Sequence, residues 1–305
     1  MTRLLDDAEV RSSLSPQAAV AAVREALAAH HDGRLSAPPR VRAELDAGAL
    51  LVTAGRLAGI GYGFRVYDSL PTTEADQVTV VYDDRGGRVA GVITGSWLGA
   101  ARTGAIGAVA VDLLARPDTA TVGLVGTGTQ AWSQLWALRA VRRPGEVRVF
   151  SRDPARREDF AARCRAELRL PAVAAGTARD AVAGADVVIL ATTSGTPVVE
   201  PDWIDPDSHV TTLGPKETGR HECPVALAAR ARTLVTDSLA QLDGYPEPFF
   251  LTDPAERGRM VSLAAVQAGA VRPAGGTVFC SVGLAGTEVA VAAALLGLRP
   301  AASSR

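Results

Sequence analysis

Two groups of residues in this chain could carry chemistry: a glycine turn with small hydroxyl residues near it, and arginines set among apolar neighbours. The turn is Gly126-x-Gly128-x-x-Ala131, entered by the apolar run Val122-Gly-Leu-Val125 and left by a helix-compatible segment, Trp132 to Val141. A strand, a tight turn and a helix start in that order place backbone N–H groups and a positive helix terminus where an anion can lie. Gly126 allows the turn, Gly128 lets a pyrophosphate approach the backbone, and Ala131 keeps the helix near the sheet. Gly126, Thr127, Gly128, Thr129 and Gln130 are therefore candidate dinucleotide contacts. Such a turn also occurs without a ligand. Here a second apolar run, Val147-Arg-Val-Phe150, follows at the spacing of a βαβ unit and favours the dinucleotide.

At the end of that second run, an acid would accept from a ribose 2′-hydroxyl, whereas a 2′-phosphate needs hydroxyl and arginine donors. Ser151 stands at the acid's position with Arg152 and Arg156 behind it, which predicts a preference for NADP(H); Asp153 keeps NAD(H) open. Two further apolar runs end in Thr192-Thr193-Ser194 and in Leu213-Gly214-Pro-Lys216. Ligands of open α/β sheets lie beyond the carboxyl ends of strands, so these residues are candidate cofactor neighbours. Lys216 is the only lysine among 32 basic residues. A desolvated amine can exchange protons near neutral pH and a guanidinium cannot, so Lys216 is a candidate proton carrier; the plainer alternative is a solvated loop cation. His221, beside Glu222, is a second candidate carrier, although a histidine near a helix start is commonly structural.

Pro39-Arg40, Phe64-Arg65-Val66-Tyr67 and Ala101-Arg102-Thr103 each set an arginine amid apolar or small residues. Burying an unpaired guanidinium is costly, so each calls for an anion. That anion is either an internal carboxylate or a substrate carboxylate held bidentately.

The elements that must position these groups alternate in the middle of the chain. After the glycine loop come the strand Val147 to Phe150, a helix from Pro154 to Leu168, Ala172-Val173, a helix from Thr177 to Ala183, and apolar runs at Asp186 to Ala191, His209 to Leu213, Thr233 to Thr236 and Thr277 to Ser281. Alternation of this kind predicts an α/β, Rossmann-type doubly wound parallel sheet of about six strands. Before it, Ser15-Pro16 opens a helix that reaches Gly33, short β-rich runs fill Pro38 to Gly95 with a break at Pro71-Thr-Thr, and a helix covers Trp97 to Leu114. This half reads as an antiparallel α+β domain, with the joint at Arg116-Pro117. The segment Leu242 to Pro254, rich in proline, glycine and acid, reads as a surface loop.

At 305 residues, with 47% hydrophobic and 21% charged residues, the chain is long enough for two compact domains. Its net charge of −1 offers no attraction for nucleic acid or an anionic membrane. Cys164, Cys223 and Cys280 are odd in number and lack metal-ligand spacing, which predicts neither a disulfide framework nor a metal site. No signal-peptide region or membrane-length apolar run is apparent, so a cytoplasmic protein is expected.

Taken together, Pro39-Arg40, Gly63-Phe-Arg-Val-Tyr67, Leu98-Gly-Ala-Ala-Arg-Thr103, Val122 to Gln130, Gly214 to Glu222 and Phe279-Cys-Ser-Val-Gly283 resemble the ornithine cyclodeaminase/µ-crystallin family over nearly the whole chain. The resemblance implies a homodimer of two-domain subunits: a substrate and dimerisation domain, 1–116 completed by 282–305, and an inserted dinucleotide domain, 117–281. It further implies that Arg40 and Arg102 hold a substrate carboxylate, with Arg102 also near the cofactor, and that Ser281 and Val282 border nicotinamide and substrate. Two positions depart from the pattern. Family enzymes carry a lysine in Gly-Phe-Lys-Val-Tyr, where this chain has Arg65. Ornithine cyclodeaminase carries an aspartate in Gly-Ala-Asp-Cys-Pro-Gly-Lys, where this chain has Lys216. The expectation is an NAD(P)(H)-dependent oxidoreductase acting at the α-carbon of an amino or imino acid, with Lys216 exchanging a proton and Arg65 fixing charge at the reacting carbon. An ornithine cyclodeaminase-like lyase, and a non-catalytic NADPH or small-ligand binding protein like µ-crystallin, are the alternatives.

Overall fold

The computed structural model describes residues 1–70 and 76–299, so the break at Pro71-Thr-Thr lies outside the described residues. The chain divides into two compact units, Met1–Arg102 with Gly283–Arg305, and Thr103–Val282. This division falls inside a helix, Trp97–Leu114, whereas the sequence places the joint after that helix.

In the first unit, β1 (Arg3–Leu5), α1 (Asp7–Ser13), α2 (Pro16–His31), β2 (Leu35–Ser36), β3 (Val41–Leu45), β4 (Gly48–Leu57), β5 (Gly61–Asp68), β6 (Val78–Asp83) and β7 (Val89–Thr94) lead to α3 (Trp97–Leu114). The Ser15 side chain accepts from the Ala18 amide, with Pro16 at the first turn, which starts α2 as its sequence predicts. Short α1 is not anticipated by hydrophobic periodicity; a reciprocal capping box between Asp6 and Glu9 nucleates it. The sheet order is β1-β7-β6-β5-β4-β2, with β3 also on β4; β1 pairs parallel to β7 and the other pairs are antiparallel. The register of β4 on β5 sets Thr53 opposite Arg65. The chain's last described helix, Thr287–Leu296, belongs to this unit and packs on α2 and across β4, β5 and β6. Contrary to the expectation that no run is of membrane length, α3 has the length and apolarity of a span, with 83% of it buried.

In the second unit, β8 (Thr121–Val125), α4 (Thr129–Leu138), β9 (Glu146–Phe150), α5 (Pro154–Arg163), β10 (Ala172–Ala174), α6 (Ala178–Val182), β11 (Val187–Leu190), β12 (His209–Thr212), β13 (Lys216–Glu217), β14 (Arg220–His221), α7 (Val225–Arg230), β15 (Thr233–Thr236), α8 (Pro254–Gly258), β16 (Val261–Ser262), α9 (Leu263–Gln267) and β17 (Thr277–Cys280) follow; Thr287–Leu296 is α10. Eight of these strands form one parallel sheet, in the order β10-β9-β8-β11-β12-β17-β15-β16, and β13 and β14 pair antiparallel apart from it. The expected six become eight because edge strands as short as β16 carry no periodic signal. Strand burial is complete in β11, β12, β15 and β17, as a sheet covered on both faces requires.

Two local expectations are corrected. The helix expected to reach Leu168 is α-helical only to Arg163 and ends in a π-turn, Cys164–Leu168, closed by Arg169 at φ 57°. The segment Leu242 to Pro254 is no simple surface loop: Leu242, Phe249, Phe250 and Leu251 are buried and join the core that contains Cys223, Leu227 and Val278. Its proline and acid content masked an aromatic anchor. The three cysteines are free and buried.

Candidate functional site

In the second unit, parallel strands deliver their carboxyl ends to one edge. Sheet order fixes the sequence of loops along it: Ser151 after β9, Gly126 to Gln130 after β8, Thr192 to Ser194 after β11, Leu213 to Lys216 after β12, Ser281 and Val282 after β17. β8 feeds β9 on one side and β11 lies on the other, so the topological switch point falls between β8 and β11. Gly126 sits there at φ +120°, and a Cβ on it would collide with the Ala191 carbonyl, so no other residue fits without a backbone shift. Gly128, the N-cap of α4, has open space where a Cβ would be. It provides no side-chain cap, so the first-turn amides of α4 keep their capacity to donate to an anion. These features fit a dinucleotide's pyrophosphate.

Beyond β9, the Asp153 carboxylate caps α5, accepting from the amides of Ala155 at 3.0 Å and Arg156 at 3.3 Å. Both bonds use Oδ1 of that carboxylate. Ser151 is half-buried, while Arg152 and Arg156 are exposed. Arg157, absent from the sequence-derived candidates, donates to the Ser151 carbonyl at 3.2 Å and lies over the Phe150 ring, which orders the end of the strand.

The loops after β11 and β12 are tied together by a residue the sequence did not single out. Glu222 is 0% exposed. Its Oε2 accepts from the Thr192 amide and hydroxyl, each at 2.7 Å, and its Oε1 from the Thr212 hydroxyl at 2.9 Å and the amides of Leu213 at 3.0 Å and Gly214 at 2.5 Å. Five donors on one carboxylate satisfy a buried charge and set the backbone of both candidate loops. Thr193 is exposed and Ser194 half-buried, its hydroxyl turned onto the Thr196 carbonyl at 2.7 Å.

Lys216 is 1% exposed, and its Nζ donates to the Gly214 carbonyl at 2.7 Å. The lysine is no solvated loop cation. Burial drives its pKa down from the ordinary value, and the opposing pull of Glu222, Cys280, Asp237 and Cys223 does not restore it. Nearby, Asp237 accepts from the Val282 amide at 2.8 Å and, at the long distance of 3.5 Å, from the Ser281 hydroxyl. His221 is held in place: its Nδ1 lies 2.8 Å from the Cys223 carbonyl, to which only a protonated nitrogen can donate, and its ring stacks on Phe250.

In the first unit, the three candidate arginines come together. A Cβ built on Gly283 would lie 3.3 Å from Arg102 Nη1 and 3.7 Å from Arg40 Nη2, so two guanidiniums flank that glycine. Arg40 Nη1 donates to the Tyr67 hydroxyl at 3.2 Å, and Arg65 lies over the Tyr67 ring with its Cζ 4.3 Å from the centroid. Strand alternation explains Arg65: residues 61, 63 and 65 face inward on β5, so the guanidinium is buried while Phe64 and Val66 are half-exposed.

Glu288, on α10, is the carboxylate that sequence reasoning missed. Its Oε1 accepts from Arg102 Nη2 at 2.8 Å and from the Thr53 hydroxyl at 3.0 Å, and lies 3.7 Å from Arg65 Nη1. Burial acts to raise its pKa, but Arg102 and Arg65 outweigh it and hold the carboxyl below its ordinary value. The internal-salt-bridge alternative is thus realised in part, with one carboxylate serving Arg102 and Arg65. Arg65 is pushed down to about 10 by burial first and by Arg102 second, despite Glu288; it stays charged at neutral pH. Its Nε and Nη1, with Arg102 Nε, have no hydrogen-bond partner among the described residues, which marks unspent capacity for an anion. Among the described residues no group of acids, histidines and cysteines could hold a metal ion.

The ornithine cyclodeaminase/mu-crystallin family model matches residues 1–296. An alanine dehydrogenase of Archaeoglobus fulgidus is 30% identical over 77% of this chain and 74% of its own length. A Delta(1)-pyrroline-2-carboxylate reductase of Bacillus cereus is 29% identical over 70% of this chain and 68% of its own length. Among solved structures, the Delta(1)-pyrroline-2-carboxylate reductase of Thermococcus litoralis, in complex with NADH and L-proline, superposes with a TM-score of 0.88 at 25% identity and 97% coverage of both chains. From the motifs, the fold and this match across nearly its whole length, the chain belongs to the ornithine cyclodeaminase/mu-crystallin family.

Proposed function

We propose that this protein is an NAD(P)(H)-dependent oxidoreductase that interconverts an α-imino acid and the corresponding α-amino acid. The observation that carries the reading is the buried pair of Arg65 and Arg102, with half-buried Arg40 beside them: Arg65 and Arg102 share the Glu288 carboxylate and keep donors with no partner among the described residues, which a substrate carboxylate can take. Relatives named as an imino-acid reductase and an amino-acid dehydrogenase support the same class of reaction.

In the second unit, Gly126 to Gln130 hold the pyrophosphate, Thr192 to Ser194, Leu213, Gly214 and Ser281 line the cofactor edge, and Val282 borders the substrate. The nicotinamide, when bound, supplies or accepts the hydride at the α-carbon. Lys216 gives the proton that the imine nitrogen takes up on reduction and receives it back on oxidation. In the first unit, Arg40 and Arg102 orient the carboxylate, and Arg65 fixes positive charge beside the reacting carbon without cycling protons. The preferred cofactor is NADP(H), supported by Ser151 at the acid's position and by the capping duty of Asp153. Exposed Leu4, Val41, Leu45 and Leu50 on the strands of the first unit support a homodimer, and free buried cysteines accord with a cytoplasmic setting.

The test is a panel of cyclic and linear imino acids, the linear ones formed in place from 2-oxo acids and ammonia, followed by absorbance of the reduced cofactor. Net oxidation of NADPH or NADH, matched by amino-acid formation, supports the reading. Release of ammonia from ornithine with no net change in cofactor would assign the chain to the cyclodeaminases instead, and tight NADPH binding without turnover would make it a binding protein.

A further inference from the structure

Lined by none of the residues of the arginine cluster, the first unit contains a cavity of ≈ 520 Å³ between β1, the turn from β6 to β7 and the C-terminal end of α10. Arg3, Arg85, Arg88 and Arg299 surround it, and Ile60 and Leu296 give it apolar wall. Its one acid is Asp83, whose Oδ1 is occupied in its own turn by the amides of Gly86 at 2.6 Å and Arg85 at 3.1 Å. Arg3 Nη1 donates to the Leu295 carbonyl at 3.4 Å and Arg85 Nη2 to the Arg299 carbonyl at 3.2 Å, which anchors two of the forks at one corner and leaves their remaining donors for a ligand. Alternation along β1 turns Arg3 toward α10 and Leu4 the other way, so the cavity opens on the helix-bearing face of the sheet.

Some surface arginines of this chain, Arg34, Arg56, Arg116 and Arg163 among them, meet a carboxylate, whereas Arg152, Arg156 and Arg179 form no ion pair among the described residues. The four around the cavity form no ion pair among the described residues. Like charges gathered within a Debye length repel, and a bound anion removes that cost. The guanidinium fork matches phosphate oxygens in a bidentate way, and several forks outmatch a single carboxylate. The volume lies in the range of about 300–1,000 Å³ typical of small-molecule sites.

We propose that this cavity binds a small organic phosphate or pyrophosphate ester, its charged group among Arg3, Arg85, Arg88 and Arg299 and its apolar part against Ile60 and Leu296. The ligand is separate from any dinucleotide held at the glycine loop, which lies in the other unit.

The experiment is isothermal titration of the full chain with inorganic pyrophosphate and with ADP, in excess NADH so that these probes do not report the glycine loop. The expected result is saturable one-to-one binding, tighter for ADP, with Kd raised tenfold or more in the double variant Arg3→Ala, Arg88→Ala and unchanged in Arg179→Ala, an exposed arginine of the second unit. Should the double variant fail to fold, Arg88→Glu alone, in an exposed turn, is expected to abolish binding with its melting curve intact. Absence of saturable binding, binding that survives these substitutions, or an equal loss in Arg179→Ala would overturn the proposal. Insensitivity of binding to Arg3 and Arg88 would expose the glycine loop as the site if NADH had failed to occupy it.

Discussion

Arg102 Nη2 donates to Glu288 Oε1 at 2.8 Å across 186 residues of sequence, joining the start of α3 to the first turn of α10. Both side chains are nearly inaccessible, at 5% and 2% exposure, so neither charge has water to fall back on. Glu288 offsets the repulsion between Arg65 and Arg102, two guanidiniums buried side by side.

Glu288→Gln should therefore destabilise the protein by about 3–5 kcal/mol, the usual cost of stripping one partner from a buried pair. The sign with pH follows from its lowered pKa: the carboxylate's contribution is full above the ordinary value of 4.5 and is lost as pH falls through the depressed folded value. Denaturation of both proteins at neutral and acid pH should show the gap closing in acid. A variant as stable as the parent at neutral pH would mean that water or a counter-ion, not Glu288, balances the arginines.

Arg102→Leu should raise KM and lower kcat for any active imino or amino acid, at a cost of about 2–5 kcal/mol in kcat/KM for a lost buried charge pair. Near-native kcat/KM would reduce Arg102 to a structural partner of Glu288.

The proposed preference for NADP(H) is carried by Ser151, Arg152 and Arg156, beside the Asp153 cap of α5. Arg152→Ala should weaken NADPH much more than NADH in a fluorescence titration. Equal weakening of both, or tighter binding of NADH by the parent protein, rules out the preference.

Lys216 should be visible in the pH profile of reduction. Burial lowers its pKa, and reduction needs the protonated amine, so kcat/KM should fall on the alkaline side through an inflection below the ordinary lysine value of 10.5. Lys216→Met should remove the inflection and cost roughly 10²–10⁴-fold. Lys216→Arg should be nearly as damaging, since arginine keeps the charge and loses the exchangeable proton. An active Lys216→Arg variant would leave the lysine as an electrostatic contact.

What the sequence disclosed and what it hid divide by range. A strand, glycine turn and helix lie within one short segment, so the turn at Gly126 and the helix start at Gly128 were legible. Arg40, Arg65 and Arg102 were legible as a class because guanidiniums amid apolar neighbours demand anions. Which anion was not legible: Glu288 meets Thr53 and Arg102 only through the packing of α10, at separations of 235 and 186 residues. Glu222 was hidden for a related reason, since its donors Thr192, just past β11, and Thr212, at the end of β12, lie 30 and 10 residues away. Composition misled at Leu242 to Pro254, where proline and acid outweighed Phe249, Phe250 and Leu251, all buried.

The measurement closest to the central claim is the fate of a labelled hydride. Reduced cofactor carrying deuterium at C4 of the nicotinamide is incubated with Δ1-pyrroline-2-carboxylate and with iminopyruvate formed from pyruvate and ammonia, and the products are read by mass spectrometry and NMR. The account predicts an amino acid bearing one deuterium at the α-carbon, formed in equal amount to the oxidised cofactor. Turnover without deuterium at that carbon, or no amino acid from any imino acid despite bound cofactor, would contradict it.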